Sequence, residues 1–138
     1  MTMSLRAQTP NIQTDTLQWN ASGFTDNISQ ETITKSCQFI TYGDQKIEWV
    51  QKNGTYISTY SINSLSSSWP DLNTNGSLTY SISRNTVTGQ LTITRTDQVI
   101  TIRLNLTSPS GNIDNTYTVS TFEKRWTWKN IYHLFYCC

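Results

Sequence analysis

Long apolar runs are missing from this 138-residue chain: no stretch of 18 apolar residues occurs, so no segment is expected to span a membrane as a helix. Charge is scarce as well. Only 14% of residues are charged, against roughly 25% in an average globular protein. Ten Lys plus Arg against nine Asp plus Glu leave a net charge of +1. Nucleic-acid binding needs a basic stripe that displaces phosphate counterions. Only Lys124, Arg125 and Lys129 cluster, which argues against nucleic acid as a partner. The single histidine is His133, near the C-terminus, so a Ser-His-Asp arrangement has no natural base. The six glycines are scattered, and no glycine-rich loop is present to cradle a phosphate. Cys37, Cys137 and Cys138 contain no C-x-x-C pair and make a poor zinc set. Asp44, Asp71, Asp97 and Asp114 fall in predicted loops, where such residues shape turns. These absences predict a non-catalytic protein without metal or cofactor.

What fills the space is Thr, Ser and Asn. Ser and Asn compete with the helical backbone, and Thr loses rotamer freedom in a helix. The same residues suit strands with one wet face, and turns. Apolar residues recur with a period of two over eight segments: 15–21, 31–42, 45–51, 55–62, 77–84, 90–96, 98–106 and 116–123. Leu78, Tyr80 and Ile82 alternate with Thr79, Ser81 and Ser83, and Ile100, Ile102, Leu104 and Leu106 continue the pattern in a later segment. Gly43-Asp44, Asn53-Gly54, Thr88-Gly89 and Asp97-Gln98 read as tight turns. Short connections imply antiparallel neighbours, and no amphipathic helix is available to cover an apolar sheet face. The expectation is an all-β, eight-stranded up-and-down meander closed as a lipocalin-like barrel, with a β-sandwich as the alternative.

That domain spans residues 15–123. Residues 1–14 read as a polar tail. Leu5-Arg6-Ala7-Gln8 has the order found at the end of a bacterial signal peptide, and an ordinary polar tail fits equally. Residues 124–138 are far more aromatic. They read as a docking segment, an added strand, or sequence foreign to the native protein. Five N-x-S/T sequons begin at Asn20, Asn27, Asn53, Asn75 and Asn105. In a chain this rich in Asn, Ser and Thr they read as structural.

The run Tyr42 to Tyr56 (YGDQKIEWVQKNGTY), then the Ser-Trp loop at Ser68-Trp69, Asn75-Gly76-Ser77-Leu78-Thr79-Tyr80 and Thr88-Gly89-Gln90-Leu91-Thr92-Ile93-Thr94-Arg95, resembles the small lipocalin-like β-barrel proteins exported by Bacteroidetes-type bacteria. The likeness covers residues 15–123 as a pattern of turns and aromatics. It implies an extracytoplasmic barrel: periplasmic, cell-surface or secreted.

Candidate binding residues follow from the aromatics. Trp19, Trp49, Tyr56, Tyr60, Trp69 and Tyr80 are the expected ligand-facing set if the interior holds a small apolar ligand. Seven large rings counted inward, including Phe39 and Tyr117, instead favour a filled interior. Trp69 is expected to plug an open barrel end, with stacking on a sugar or a partner as the alternative. Trp126, Trp128, Tyr132 and Phe135 are the expected anchors for a protein partner or self-association. The leading reading is an exported binding or assembly module of the bacterial cell envelope. Its alternatives are a carrier of a small apolar ligand and a carbohydrate-binding module.

Overall fold

The computed structural model describes residues 10–125. Nine antiparallel strands follow in chain order: β1 Thr16–Asp26, β2 Glu31–Ile33, β3 Cys37–Tyr42, β4 Lys46–Gln51, β5 Tyr56–Ser66, β6 Gly76–Arg84, β7 Val87–Thr96, β8 Val99–Ser108 and β9 Gly111–Lys124. No α-helix occurs among the described residues. Strands β3 to β9 pair in sequence, and β1 pairs with both β3 and β9. Eight strands therefore close into a barrel, with β2 as an extra strand, an architecture consistent with a lipocalin-like barrel. Closure leaves no long open edge among the eight, which disposes of the exposed backbone groups of a flat sheet.

The alternation expected from the sequence holds along most of the wall. Leu78, Tyr80 and Ile82 on β6 face Leu91 and Ile93 on β7, and Ile102 and Leu104 on β8, in one continuous core. Outward Thr and Ser residues pair across the strands: the hydroxyls of Thr79 and Thr92 are 3.0 Å apart, and those of Ser77 and Thr94 are 3.1 Å apart. The Asp97-Gln98 turn has positive φ at both residues (49° and 72°), as a primed hairpin requires.

Four local expectations change. The 31–42 segment is broken into β2 and β3, because β1 pairs with β3 only as far as Ala21 and with β2 from Phe24 onward. On its other edge β1 shifts register against β9 at the same place, between Asn20 and Gly23, and a Cβ on Gly23 would lie 2.9 Å from the Ile33 carbonyl oxygen. Thr88-Gly89 is no turn. The hairpin runs through Asn85 and Thr86, with Arg84 opposite Val87, and Gly89 lies inside β7, where a Cβ would meet the Asn105 carbonyl oxygen at 2.0 Å. Asn53-Gly54 belongs to a longer loop, since Gln51 pairs with Tyr56 and Lys52, Asn53 and Gly54 all have positive φ. Finally, β9 begins at Gly111, five residues before the expected start, after a Pro109-Ser110 turn.

Strand directions sort the connections into two ends. Residues 10–15, 43–45, 67–75 and 97–98 gather at one end; residues 27–36, 52–55, 85–86 and 109–110 gather at the other. The first end is plugged. Ile12 is 1% exposed, Trp69 2% and Leu72 fully buried, and all three belong to the core. Residues 10–14 had been assigned to the tail, and Ile12 carries that stretch into the packing. The Trp69 indole N–H donates to the Thr74 carbonyl at 3.0 Å, which satisfies its polar edge inside the plug.

Candidate functional site

The other end is open. A recess of about 550 Å³ is lined there by Phe24, Ile33, Cys37, Trp49 and Tyr117, with Lys35 and Lys52 among its polar lining residues. Its position follows from the chain. Strand β1 carries Phe24 beyond the point where β3 leaves it, and the 34–36 break removes the wall rung that would otherwise lie over Cys37.

Below the recess the interior is filled. Trp19, Phe39, Tyr80 and Tyr117 are fully buried with Leu17, Ile47 and Leu91. An aromatic floor separates core from mouth. Phe39 and Trp49 are parallel at 6.1 Å; Tyr117 meets Phe39 edge-on at 4.9 Å and Trp49 at 6.3 Å, and Phe24 tilts onto Tyr117 at 4.9 Å. These separations lie in the range favoured by ring quadrupoles. Ser58, opposite Trp49 on β5, is the small residue that makes room for the indole.

The polar groups of this floor are mostly donors. The Trp49 indole N–H is buried and makes no regular hydrogen bond; it faces the Cys37 thiol, a weak acceptor. Burial pushes that thiol up to about 11, so it stays protonated and a poor nucleophile at neutral pH. The Asn115 amide donates to the Tyr117 hydroxyl at 3.1 Å, leaving the hydroxyl hydrogen free to donate. Burial raises the Tyr117 phenol above its ordinary range. An unsatisfied buried donor costs about 1–3 kcal/mol, so with only a weak thiol acceptor for the indole N–H the floor is short of acceptors. The Tyr80 hydroxyl is likewise buried without a partner, deeper in the core.

Of the six residues expected to face a ligand, only Trp49 lines this recess. Trp19 is packed, donating its indole N–H to the Thr41 hydroxyl at 3.1 Å and stacking on Phe122 at 5.1 Å. Tyr60 and Tyr80 are buried in the core, and Trp69 is the plug at the far end, as one of its two readings had it. Tyr56 is 51% exposed, which corrects its inward placement. It shares the parity of Ser58 and Tyr60 but begins β5, beyond the last covered rung, with the Lys52 ammonium 5.8 Å over its ring. Trp126, Trp128, Tyr132 and Phe135 lie outside the described residues. Phe24, Ile33, Lys35 and Lys52 escaped the sequence reading. Phe24 lies past the end of the 15–21 segment, and Lys35 lies inside the 31–42 segment, where nothing in the alternation singles it out.

No group of three or more His, Cys, Asp or Glu residues suited to a metal ion occurs among the described residues. No helix there is long and apolar enough to cross a membrane. The fold and the recess together define a closed antiparallel barrel, plugged at one end and open at the other. No protein-family model, curated protein or solved structure matches the chain.

Proposed function

We propose that this protein is a non-catalytic binding barrel that holds a small, largely apolar molecule at its open end. The observation that carries this reading is the recess itself: aromatic rings, few polar groups and a volume of about 550 Å³ meet at the unplugged end. Binding sites are concave, mostly apolar and furnished with few polar groups, commonly at volumes of about 300–1,000 Å³ and in the mouths of barrels. The interior below is packed, so the ligand sits in the mouth and is not swallowed by the barrel. Among the described residues, neither a base nor a nucleophile with suitable reactivity lines the recess: its one thiol is held neutral. Work outside the cytoplasm, in a bacterial envelope, is part of the proposal and is supported by the resemblance over residues 15–123 and by the Leu5-Arg6-Ala7-Gln8 order.

Titration with phenylnaphthylamine, a neutral apolar fluorophore, tests the reading. Saturable one-to-one binding at micromolar levels is expected, with quenching of tryptophan emission that is reduced in Trp49→Phe. Quenching that persists undiminished in that variant places the ligand elsewhere, and absence of saturable binding rejects the proposal.

A further inference from the structure

We infer that the recess selects a small amphiphilic anion, whose apolar body lies on Phe24, Trp49 and Tyr117 and whose acidic group meets Lys35 and Lys52. This rests on the binding reading above and adds the chemical class of the ligand. Three observations converge on it. First, among the described residues Lys35 and Lys52 are the only charged ones lining the recess, and no carboxylate lines it. Secondly, the carboxylates of the neighbouring loops are used elsewhere or lie away. Asp26 accepts from the backbone N–H groups of Ile28 and Ser29, and Asp114 is held by Arg103 and Asn27. Glu31 sits on β2 opposite Asp26, outside the lining. Neither lysine forms an ion pair within the described residues. Thirdly, the polar groups of the floor offer hydrogens. The Trp49 N–H has only the weakly accepting Cys37 thiol, that thiol is neutral, and the Tyr117 hydroxyl already accepts from Asn115. A ligand that brings negative charge is matched by the two exposed lysines and by a floor short of acceptors, whereas a cationic ligand is repelled by the same lysines.

A matched pair of probes tests the class. Anilinonaphthalene sulfonate and its neutral parent phenylnaphthylamine share one aromatic body and differ by the sulfonate. With the intact chain at low salt, the sulfonate is expected to bind roughly tenfold more tightly, the effect of two partly exposed charge contacts. The preference should shrink in about 1 M salt, where the Debye length is near 3 Å. In Lys35→Gln/Lys52→Gln the preference should vanish while the neutral probe keeps its affinity. Because both lysines are exposed at the rim, that variant keeps the fold, which an unchanged circular dichroism spectrum checks. Equal affinities for the two probes in the intact chain, or a preference that survives the double substitution, overturn the anion inference and leave the binding reading standing. Saturable binding of neither probe removes both. Co-sedimentation with phosphatidylglycerol vesicles without binding of monomeric sulfonate also overturns it, since the acid would then belong to a membrane surface.

Discussion

The two ends of this barrel are made in opposite ways. At the plugged end, Ile12, Trp69 and Leu72 bury apolar surface, and polar contacts only trim the edges. Arg95 donates to the Leu72 carbonyl at 2.8 Å, and the Asp97 backbone N–H donates to the Asn75 side chain at 3.0 Å. At the open end the rim is tied by polar groups. Asn27 donates from its side chain to Asp114 and Thr116, both at 2.9 Å, and from its backbone to the Asp114 carbonyl at 2.7 Å. Ile28, on the same loop, is 64% exposed. Apolar burial contributes in proportion to area, whereas exposed polar ties contribute little each and are weakened by solvent. Stability thus resides more at the plug than at the open rim.

Substitution of one large ring at each end gives the widest contrast. Trp69→Ala should cost about 3–5 kcal/mol, as expected for a fully buried aromatic that leaves a cavity. Phe24→Ala at the mouth should cost about 1 kcal/mol, because its ring is only partly covered. Urea denaturation followed by circular dichroism measures both. Equal losses would show that the two ends share the load, and the comparison would fail.

One glycine at each end sharpens it further. A Cβ on Gly76 would stand 2.2 Å from the Trp69 ring, which is buried and cannot swing aside. Gly76→Ala should therefore cost about 1–3 kcal/mol through overpacking. Gly54 has φ of +87° and nothing within 4 Å of its Cβ position. Gly54→Ala should cost about 1–2 kcal/mol through backbone conformation alone. The totals overlap, but their coupling does not. In a Trp69→Phe background part of the Gly76→Ala cost should be recovered, while the Gly54→Ala cost should stay additive. Recovery at both glycines would mean that the ends are mechanically linked.

The plugged end was far more legible in the sequence than the open one. Strands β6 to β8 alternate cleanly, so Leu78, Ile93 and Ile102 could be placed inward from period alone. Trp69, a bulky ring in a polar loop, was expected there as a plug on the same grounds. Gly89 misled because Thr-Gly is a common turn signal, and only three-dimensional crowding against Asn105 shows why a strand needs glycine at that point. The mouth was hidden for a related reason. Its lining comes from a strand overhang at Phe24, a broken strand at Lys35 and a loop at Lys52, none of which has a period. Seven inward rings were counted as filling the barrel, and most do; position along the axis, which periodicity does not encode, separates Trp49 and Tyr56 from Trp19 and Tyr80.

The smallest expected effect lies in the rim's ion pair and is a matter of pH. Arg103 holds Asp114 through bonds of 3.0 and 2.8 Å. That guanidinium, aided by the Asn27 amide, keeps the Asp114 carboxyl below its ordinary value of 3.8. A carboxyl with a depressed folded-state pKa binds fewer protons folded than unfolded over the interval between the two values. Its contribution is therefore fully present above the unfolded value and is lost as pH falls through the folded one. The Arg103 side chain is 57% exposed, so solvent screening holds the contribution below about 1 kcal/mol. Asp114→Asn should thus lower the melting temperature slightly at pH 7, and the difference should close as the pH falls from the unfolded value of 3.8 through the lower folded one, where the wild-type carboxyl is itself protonated. A gap that widened in acid would reverse the sign and place Asp114 in an unfavourable setting. A loss at pH 7 as large as that of Trp69→Ala would overturn the assignment of stability to the plugged end, because a polar tie at the open rim would then match a buried tryptophan.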